Sequence, residues 1–368
     1  MNRRHFLRIS SAAPAGLLLS PSLANATPSG AATGAGSAKN WRIFEVMTRV
    51  EVLKPEGVTR VWLPLPLTSD TDYFKSLGYT WSNESGESLA AQDPKYGAGI
   101  VMSEWGDGAK PVLTLTTRFA TRERSVNLNT PNGAPALDAA SAASYTEATD
   151  LIPTDGIVRE TALQAIRGAG NDLEKARAIY EWVVDNTFRN AKTRGCGLGD
   201  IKFMLETKTM GGKCADINAL FVGLCRAVAI PARDVYGVRV ADSARGYKSL
   251  GKSGDITRAQ HCRAEFYAAG YGWIPVDPGD VRKVALEEEG GKKIDDPKVK
   301  AAREYLFGAW EMNWLAYNYA HDLVLPRSTR GKVGFFMYPQ LETSEGRADC
   351  IDADNFTYRI TAKELNFS

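Results

Sequence analysis

A cysteine follows Gly211-Gly212-Lys213 and opens an apolar-periodic run. Ile217, Leu220, Phe221, Leu224, Cys225 and Val228 come after Cys214 at the spacing of a helix with one buried stripe. Cys214 falls on that stripe, in the first turn. Backbone N–H groups there have no intrahelical partner, and the helix dipole favours an anion. A thiol so placed ionises more readily than a free one. The glycine pair lets the backbone turn sharply and lets a substrate come close. Such a thiol can act as a nucleophile in acyl transfer if a base is within reach. A lone cysteine on a helix stripe can equally be packing, so the base decides between the two.

Histidine is scarce: His5, His261 and His321 are all the chain has. His261 stands at the start of an expected strand, Gln260 to Ala268, which turns at Ala269-Gly270-Tyr271 into a second strand, Gly272 to Val276. Asp277-Pro278 follows directly. The midpoint of 261 and 277 lies inside the turn. His261 and Asp277 are therefore expected opposite one another on one face, with Cβ atoms about 5 Å apart. A carboxylate there would orient the imidazole and stabilise the imidazolium. The alternation turns Cys262 to the other face. Asp216, in the first turn of the Cys214 helix, reads as a dipole partner. Asp280 reads as a turn residue. With no C-x-x-C pair and so few histidines, a structural zinc site is not expected. Glu287-Glu288-Glu289 lacks the ligand spacing of a calcium loop. The expectation is no metal and no cofactor.

The elements that must position these residues come in two kinds. Trp41 to Leu67 alternates and is broken at Lys54-Pro55-Glu56-Gly57, which predicts a hairpin of Arg42–Leu53 with Val58–Leu65. Further strands are expected at Tyr79–Ser82, Ala98–Trp105 and Pro111–Glu123. Together they predict an antiparallel, sandwich-like β-domain over residues 40–130. Asn127 to Ala143 reads as a linker. Helices follow, one opening at Thr154-Asp155-Gly156 and one capped by Asn171. A short turn at Asp200–Leu205 precedes the Cys214 helix, which must stop at Ile230-Pro231. Arg233–Val240 reads as a strand and Glu287 to Lys300 as a charged surface loop. Trp310 to Leu325 reads as helix giving way to strand near Asn313. Trp310, Trp314, Tyr317 and Tyr319 could line a groove but read more simply as core. Lys332–Gln340 and Phe356–Ile360 are expected closing strands. The fold class is α+β: a β-sandwich-like domain (40–130), an α+β core (145–285), and a C-terminal extension (286–368) whose closing strands pack on the core.

The ends and the charge bound the setting. Arg3-Arg4-His5-Phe6-Leu7, a short apolar run and Ala24-Asn25-Ala26 read as a twin-arginine export leader over residues 1–26, with a Gly/Ala/Ser linker at 27–39. The three arginines of that leader, with no acid beside them, more than account for the net charge of +2. The mature chain is then close to neutral, which leaves no basic field for nucleic acid and no basic amphipathic helix for a membrane. The leader's apolar run is too short to span a bilayer. Periplasmic or secreted residence is expected. Five cysteines remain (Cys196, Cys214, Cys225, Cys262, Cys350), an odd number that leaves at least one free thiol in an oxidising compartment. With Cys214 free, the others could form up to two bridges, although Cys225 on the helix stripe suits packing.

The segments from Tyr180 to Gly279 resemble the transglutaminase-like superfamily, whose fold is related to papain. The resemblance rests on Gly211-Gly212-Lys213-Cys214-Ala215-Asp216 and on Leu224-Cys225-Arg226-Ala227-Val228-Ala229-Ile230-Pro231-Ala232-Arg233. It extends to His261-Cys262-Arg263-Ala264-Glu265 and Gly272-Trp273-Ile274-Pro275-Val276-Asp277-Pro278. It implies Cys214 as nucleophile, His261 as base and Asp277 as orienter, with the Cys214 N–H as the oxyanion donor that can be named. It also implies an exported thiol acyl-transfer enzyme that hydrolyses or transamidates amide bonds in peptide or protein substrates, cell-wall peptides included. The alternative is an inactive scaffold of the same fold that binds or organises envelope components. Oligomeric state is left open.

Overall fold

The computed structural model describes residues 41–352 and 356–365. The expected leader and linker lie outside them. No helix among the described residues is long and apolar enough to cross a membrane.

Two five-stranded antiparallel sheets form the front of the molecule. One runs Gly254–Asp255, Tyr358–Leu365, Arg42–Glu51, Val112–Thr121, Phe74–Asn83. The other runs Gly346–Arg347, Gln340–Thr343, Thr59–Pro64, Gly99–Trp105, Glu87–Gln92. Alternation places Phe44, Val46 and Val50 of one sheet and Val61, Leu63 and Val101 of the other in a shared apolar cluster. The hairpin expected of Arg42–Leu53 with Val58–Leu65 does not form. Arg42–Glu51 pairs with Val112–Thr121 and Tyr358–Leu365, while Thr59–Pro64 pairs with Gly99–Trp105 and Gln340–Thr343. The physical reason is burial. Arg42–Glu51 keeps one wet face, whereas Thr59–Pro64 is buried almost throughout. The turn at residues 54–57, with Gly57 at φ +59°, therefore crosses from one layer to the other. The C-terminal strands join the sandwich and not the core: Tyr358–Leu365 lies beside Arg42–Glu51 and Gln340–Thr343 beside Thr59–Pro64. The expected strand Lys332–Gln340 is broken, and Val333–Phe335 pairs with His321–Leu323.

Behind the sandwich, a four-stranded antiparallel sheet carries the expected chemistry, in the order Gly272–Val276, Gln260–Ala268, Ala232–Arg239, Trp314–Asn318. The Cys214–Ala227 helix is buried along its whole length and packs on this sheet. Gly156–Ala165 and Asp172–Asn186 cover its outer side, the latter capped by Asn171 as expected. A second apolar cluster of Ile179, Tyr180, Leu220, Phe221, Leu224 and Phe266 fills this layer. Asp280, expected in a turn, instead lies in the first turn of a helix over Pro278–Glu287 that Asp277 caps, and Pro297–Tyr305 is helical where a surface loop is expected to end.

Trp310 to Leu325 contains no helix. It is broken into strands at Ala309–Trp310, Trp314–Asn318 and His321–Leu323. The spacing of Trp310 and Trp314 suits a helix, but pairing with Arg124–Ser125 and with the open edge of Ala232–Arg239 wins. Buried Asn313 holds the break by donating to the carbonyls of Ala241 (3.2 Å) and Leu250 (2.9 Å). The four aromatics divide between core and half-buried positions: Trp310, Trp314 and Tyr317 are buried and Tyr319 is partly covered.

Candidate functional site

Cys214 begins its helix at a floor that the glycines prepare in an unexpected way. Neither Gly211 nor Gly212 has a left-handed φ. Gly212 is needed because a Cβ there would lie 2.5 Å from the Asp216 side chain. Asp216 is more than a dipole partner. Its Oδ1 accepts from the N–H groups of Leu198 (2.9 Å) and Gly199 (3.0 Å), and its Oδ2 from that of Lys213 (2.9 Å). One carboxylate thus ties the 196–199 loop to the start of the Cys214 helix. The Ala215 N–H is spent on the Cys196 carbonyl at 2.9 Å. The Cys214 N–H has no hydrogen-bond partner among the described residues, so it is free to face a developing oxyanion. Asp216→Ala is expected to cost about 2–3 kcal/mol, because three N–H groups, that of Gly199 buried, lose an ionised acceptor together. Denaturant midpoints measure the loss, and faster hydrogen exchange at Leu198 and Gly199 localises it.

The His261–Asp277 contact forms through a register different from the expected one. The ladder pairs Ala264 with Val276 and Ala268 with Gly272, so the hairpin turns about Gly270. Continuing it sets Asp277 opposite Arg263, and His261 is the diagonal neighbour. A shift of two in pairing keeps side chains on the same face, and His261 Nε2 meets Asp277 Oδ2 at 2.8 Å. Both groups are buried. Cys214 and His261 line the same cleft, and the charge of His261 favours the Cys214 thiolate. Trp314 Nε1 donates to the His261 carbonyl at 2.9 Å and fixes the strand from behind. Gly237, the ladder partner of His261, permits this. A Cβ there would lie 2.1 Å from the Leu315 carbonyl and 2.5 Å from the Trp314 ring.

Several polar neighbours escaped the sequence reading. Asp280 is a site residue and not a turn residue: Oδ2 lies 3.5 Å from His261 Nε2, and both its oxygens accept from Arg239 (2.6 and 2.8 Å). The signal was present in Asp277-Pro278-Gly279-Asp280, an N-cap, a proline at the first helical position and an acid in the first turn. Asn218 lies one turn after Cys214, donates to Asp277 Oδ1 (3.2 Å) and to the Cys262 carbonyl (2.8 Å), and accepts from Gly279 N–H (3.0 Å). Its i+4 spacing from Cys214 was a readable signal. Arg263 Nε stands 3.5 Å from Asp277 Oδ2.

The charges set the protonation states. Burial and Arg239 oppose a charged His261, but Asp280 and Asp277 outweigh them and raise its pKa. Hydrogen bonding from the Cys196 and Cys262 thiols, then His261, outweighs burial at Cys214 and holds that thiol well below its ordinary range. Cys196 and Cys262 are pushed up in turn, Cys196 chiefly by its bond to Cys214 and Cys262 chiefly by burial. At Asp280, Arg239 overcomes burial and keeps the carboxyl ionised, while burial and Asp280 raise Asp277. Both directions favour a thiolate–imidazolium pair over the neutral pair. All five cysteines are free, and Cys225 is packed in the helical core. His261, Asp277 and Asp280 have ligand atoms close enough to hold a cation, yet Arg239 and Arg263 already supply positive charge to both carboxylates. His321 lies elsewhere, 3.3 Å from Asp234.

These groups open into a cleft of about 1110 Å³ lined by Cys214, His261, Cys196, Gln260 and Tyr338. Residues 159–278 match the family model of the transglutaminase-like superfamily. An uncharacterised Haemophilus influenzae protein is 35% identical over 342 residues, covering 88% of this chain and 92% of its own length. A crystal structure of a proposed cysteine protease from Cytophaga hutchinsonii superposes with a TM-score of 0.52 at 15% identity, over 89% of each chain. The periplasmic domain of TgpA from Pseudomonas aeruginosa gives a TM-score of 0.36 at 15% identity, over 69% of this chain and 94% of that one. The α+β core, its helix-borne cysteine and the matched segment together place the chain in the transglutaminase-like superfamily.

Proposed function

We propose that the protein is a thiol acyl-transfer enzyme in which Cys214 is the nucleophile, His261 the proton shuttle and Asp277 the residue that orients it. The 2.8 Å contact of His261 Nε2 with Asp277, with His261 and Cys214 lining one open cleft, carries this reading. The Cys214 thiolate adds to an amide or ester carbonyl, and a C–S bond forms. The Cys214 N–H is a donor for the oxygen that gains charge. The C–N or C–O bond breaks as imidazolium gives its proton to the leaving group. Water then adds to the thioester, His261 takes its proton, and the C–S bond breaks to release acid and thiolate. An amine in place of water gives a new amide. Hydrolysis of peptide or protein amides is the favoured outcome, with transamidation as the second chemistry of the same thioester. The leader expected at residues 1–26 would deliver the enzyme folded to the periplasm or beyond, with the β-sandwich as its scaffold.

Iodoacetamide labelling of the native protein tests the core of this reading. Cys214 has a lowered pKa, so its thiolate persists as pH falls and labelling should stay fast well below the ordinary thiol range. The rate should drop only as pH passes below that lowered pKa. His261→Ala removes a group that favours the thiolate, so its profile should move to higher pH and its rate at neutral pH should fall. An ordinary profile for native Cys214, centred near about pH 8.5, defeats the proposal.

A further inference from the structure

The cleft around Cys214 has a charge imbalance that acyl transfer by itself does not require. Its lining holds seven lysine or arginine side chains and one carboxylate, Asp255. Some of that charge is already matched. Arg239 is bound by Asp280 at two oxygens, Arg359 lies 3.3 Å from Asp255, and Arg258 is engaged as well. Arg189 and Lys283, however, share a single carboxylate, that of Glu287, at 2.8 and 3.6 Å. Lys213 and Lys252 make no side-chain hydrogen bond or ion pair with the described residues.

The placement of these groups relative to sulfur is set by the backbone. Lys213 immediately precedes Cys214. Arg189 pairs with Gly212 in a short parallel ladder, which brings its strand beside the same floor. Lys283 is on the helix that Asp277 caps, with a side chain only 19% exposed. Burial and the nearby Arg239 make a charged ammonium costly at Lys283, and an anion entering there would relieve that cost. Lys252 is exposed on the lining segment beside Gly251. Unmatched cations of one sign in a concave site raise the local concentration of the opposite charge.

We propose that the cleft selects an acyl donor bearing a carboxylate close to the bond that Cys214 attacks, with Lys213, Lys252 and the Arg189–Lys283 pair as its contacts. The substrate class is then an acidic peptide, whose carboxylate belongs either to an Asp or Glu side chain or to a free C-terminus. The peptide part of this proposal rests on the acyl-transfer reading; the anion preference of the cleft does not.

Two alkylating reagents of nearly equal size separate the two claims. Iodoacetate is anionic and iodoacetamide neutral, and mass spectrometry locates the product at Cys214. The iodoacetate-to-iodoacetamide rate ratio should exceed that of N-acetylcysteine amide by about tenfold at low salt, and fall towards it at 0.5 M salt. Lys213→Gln and Lys252→Gln should each lower the ratio several-fold. A ratio no higher than that of the small thiol, or one unmoved by salt and by both substitutions, overturns the proposal. A peptide series then compares Glu with Gln near the scissile bond, and free with amidated C-termini. The preferred carboxylate should raise kcat/KM about tenfold, mostly through KM, and the Lys variants should erase the difference. Preference for the neutral peptides overturns the substrate class. A raised ratio with no Cys214-dependent turnover of any peptide supports the anion-selective cleft but overturns acyl transfer and the substrate class.

Discussion

Cys214→Ala is expected to lower peptide or amide turnover by about 10⁵-fold or more, since loss of an activated nucleophile removes the covalent route as a whole. The nearby thiols should not rescue it. Cys196 donates to the Gln260 carbonyl at 3.2 Å, and its pKa is pushed up, as is that of Cys262. Each stays protonated, so neither offers a thiolate of its own. His261→Ala should fall nearly as far, because shuttle and counter-charge go together. Asp277→Asn should be milder, roughly 10²- to 10³-fold. Asp280 stays 3.5 Å from His261 Nε2 and continues to favour imidazolium, while the amide can still accept from the ring. Replacing both carboxylates by amides should deepen the loss and narrow the pH range of activity from its alkaline side, since His261 would no longer hold its proton as pH rises. Values of kcat/KM across pH for the four variants decide the matter. Turnover retained in Cys214→Ala would remove the thiol from the chemistry.

How the site could be read in advance follows from the kind of contact involved. The Cys214 helix and the His261 hairpin are local structures, and their periodicity is written in consecutive residues. Even the misjudged hairpin centre did little harm, because an error of two in the pairing leaves the facing side unchanged. The pairing of Asp280 with Arg239 was missed for a different reason. They are 41 residues apart in the chain and meet through sheet order, which no local pattern encodes. The same holds for Asp216, whose partners at Leu198 and Gly199 come from another loop. Arg42–Glu51 and Thr59–Pro64 show the complementary failure. Adjacent alternating strands suggest a hairpin, but both sheets draw their neighbours from the far end of the chain. Trp310 and Trp314 fit a helix by spacing, and only an open sheet edge nearby selects the strand.

Glu265→Leu is expected to destabilise the fold by about 3–5 kcal/mol, the usual cost of stripping one partner from a buried ion cluster. Glu265 is fully buried on the His261 strand and accepts from Arg124 at 2.5 Å and Arg233 at 2.6 Å. Arg124 is buried and Arg233 nearly so. Arg124 also donates to the Trp273 carbonyl at 3.0 Å and lies over Tyr73 and Trp310. Arg233 is clasped between the rings of Trp273 and Tyr319, at 3.8 and 3.7 Å. With the carboxylate gone, two guanidinium groups share an apolar pocket. Glu265→Gln should be only slightly better, because its NH₂ group would face an arginine donor. The pH dependence has a definite sign. Burial would raise the Glu265 pKa, but the two arginines outweigh it and the folded value is lowered. The wild-type advantage is therefore complete above the unfolded carboxyl value of about 4.3 and is lost as pH falls through the lower folded one. Urea unfolding of wild type and Glu265→Gln should differ by the full amount at pH 7 and converge only in strong acid. Because Arg124 follows the sandwich strand Val112–Thr121, the same substitution should loosen the join between the sandwich and the site sheet. Faster hydrogen exchange along residues 124–126 and 309–310 would report it, and an unchanged midpoint at pH 7 would show that the cluster contributes no net stability.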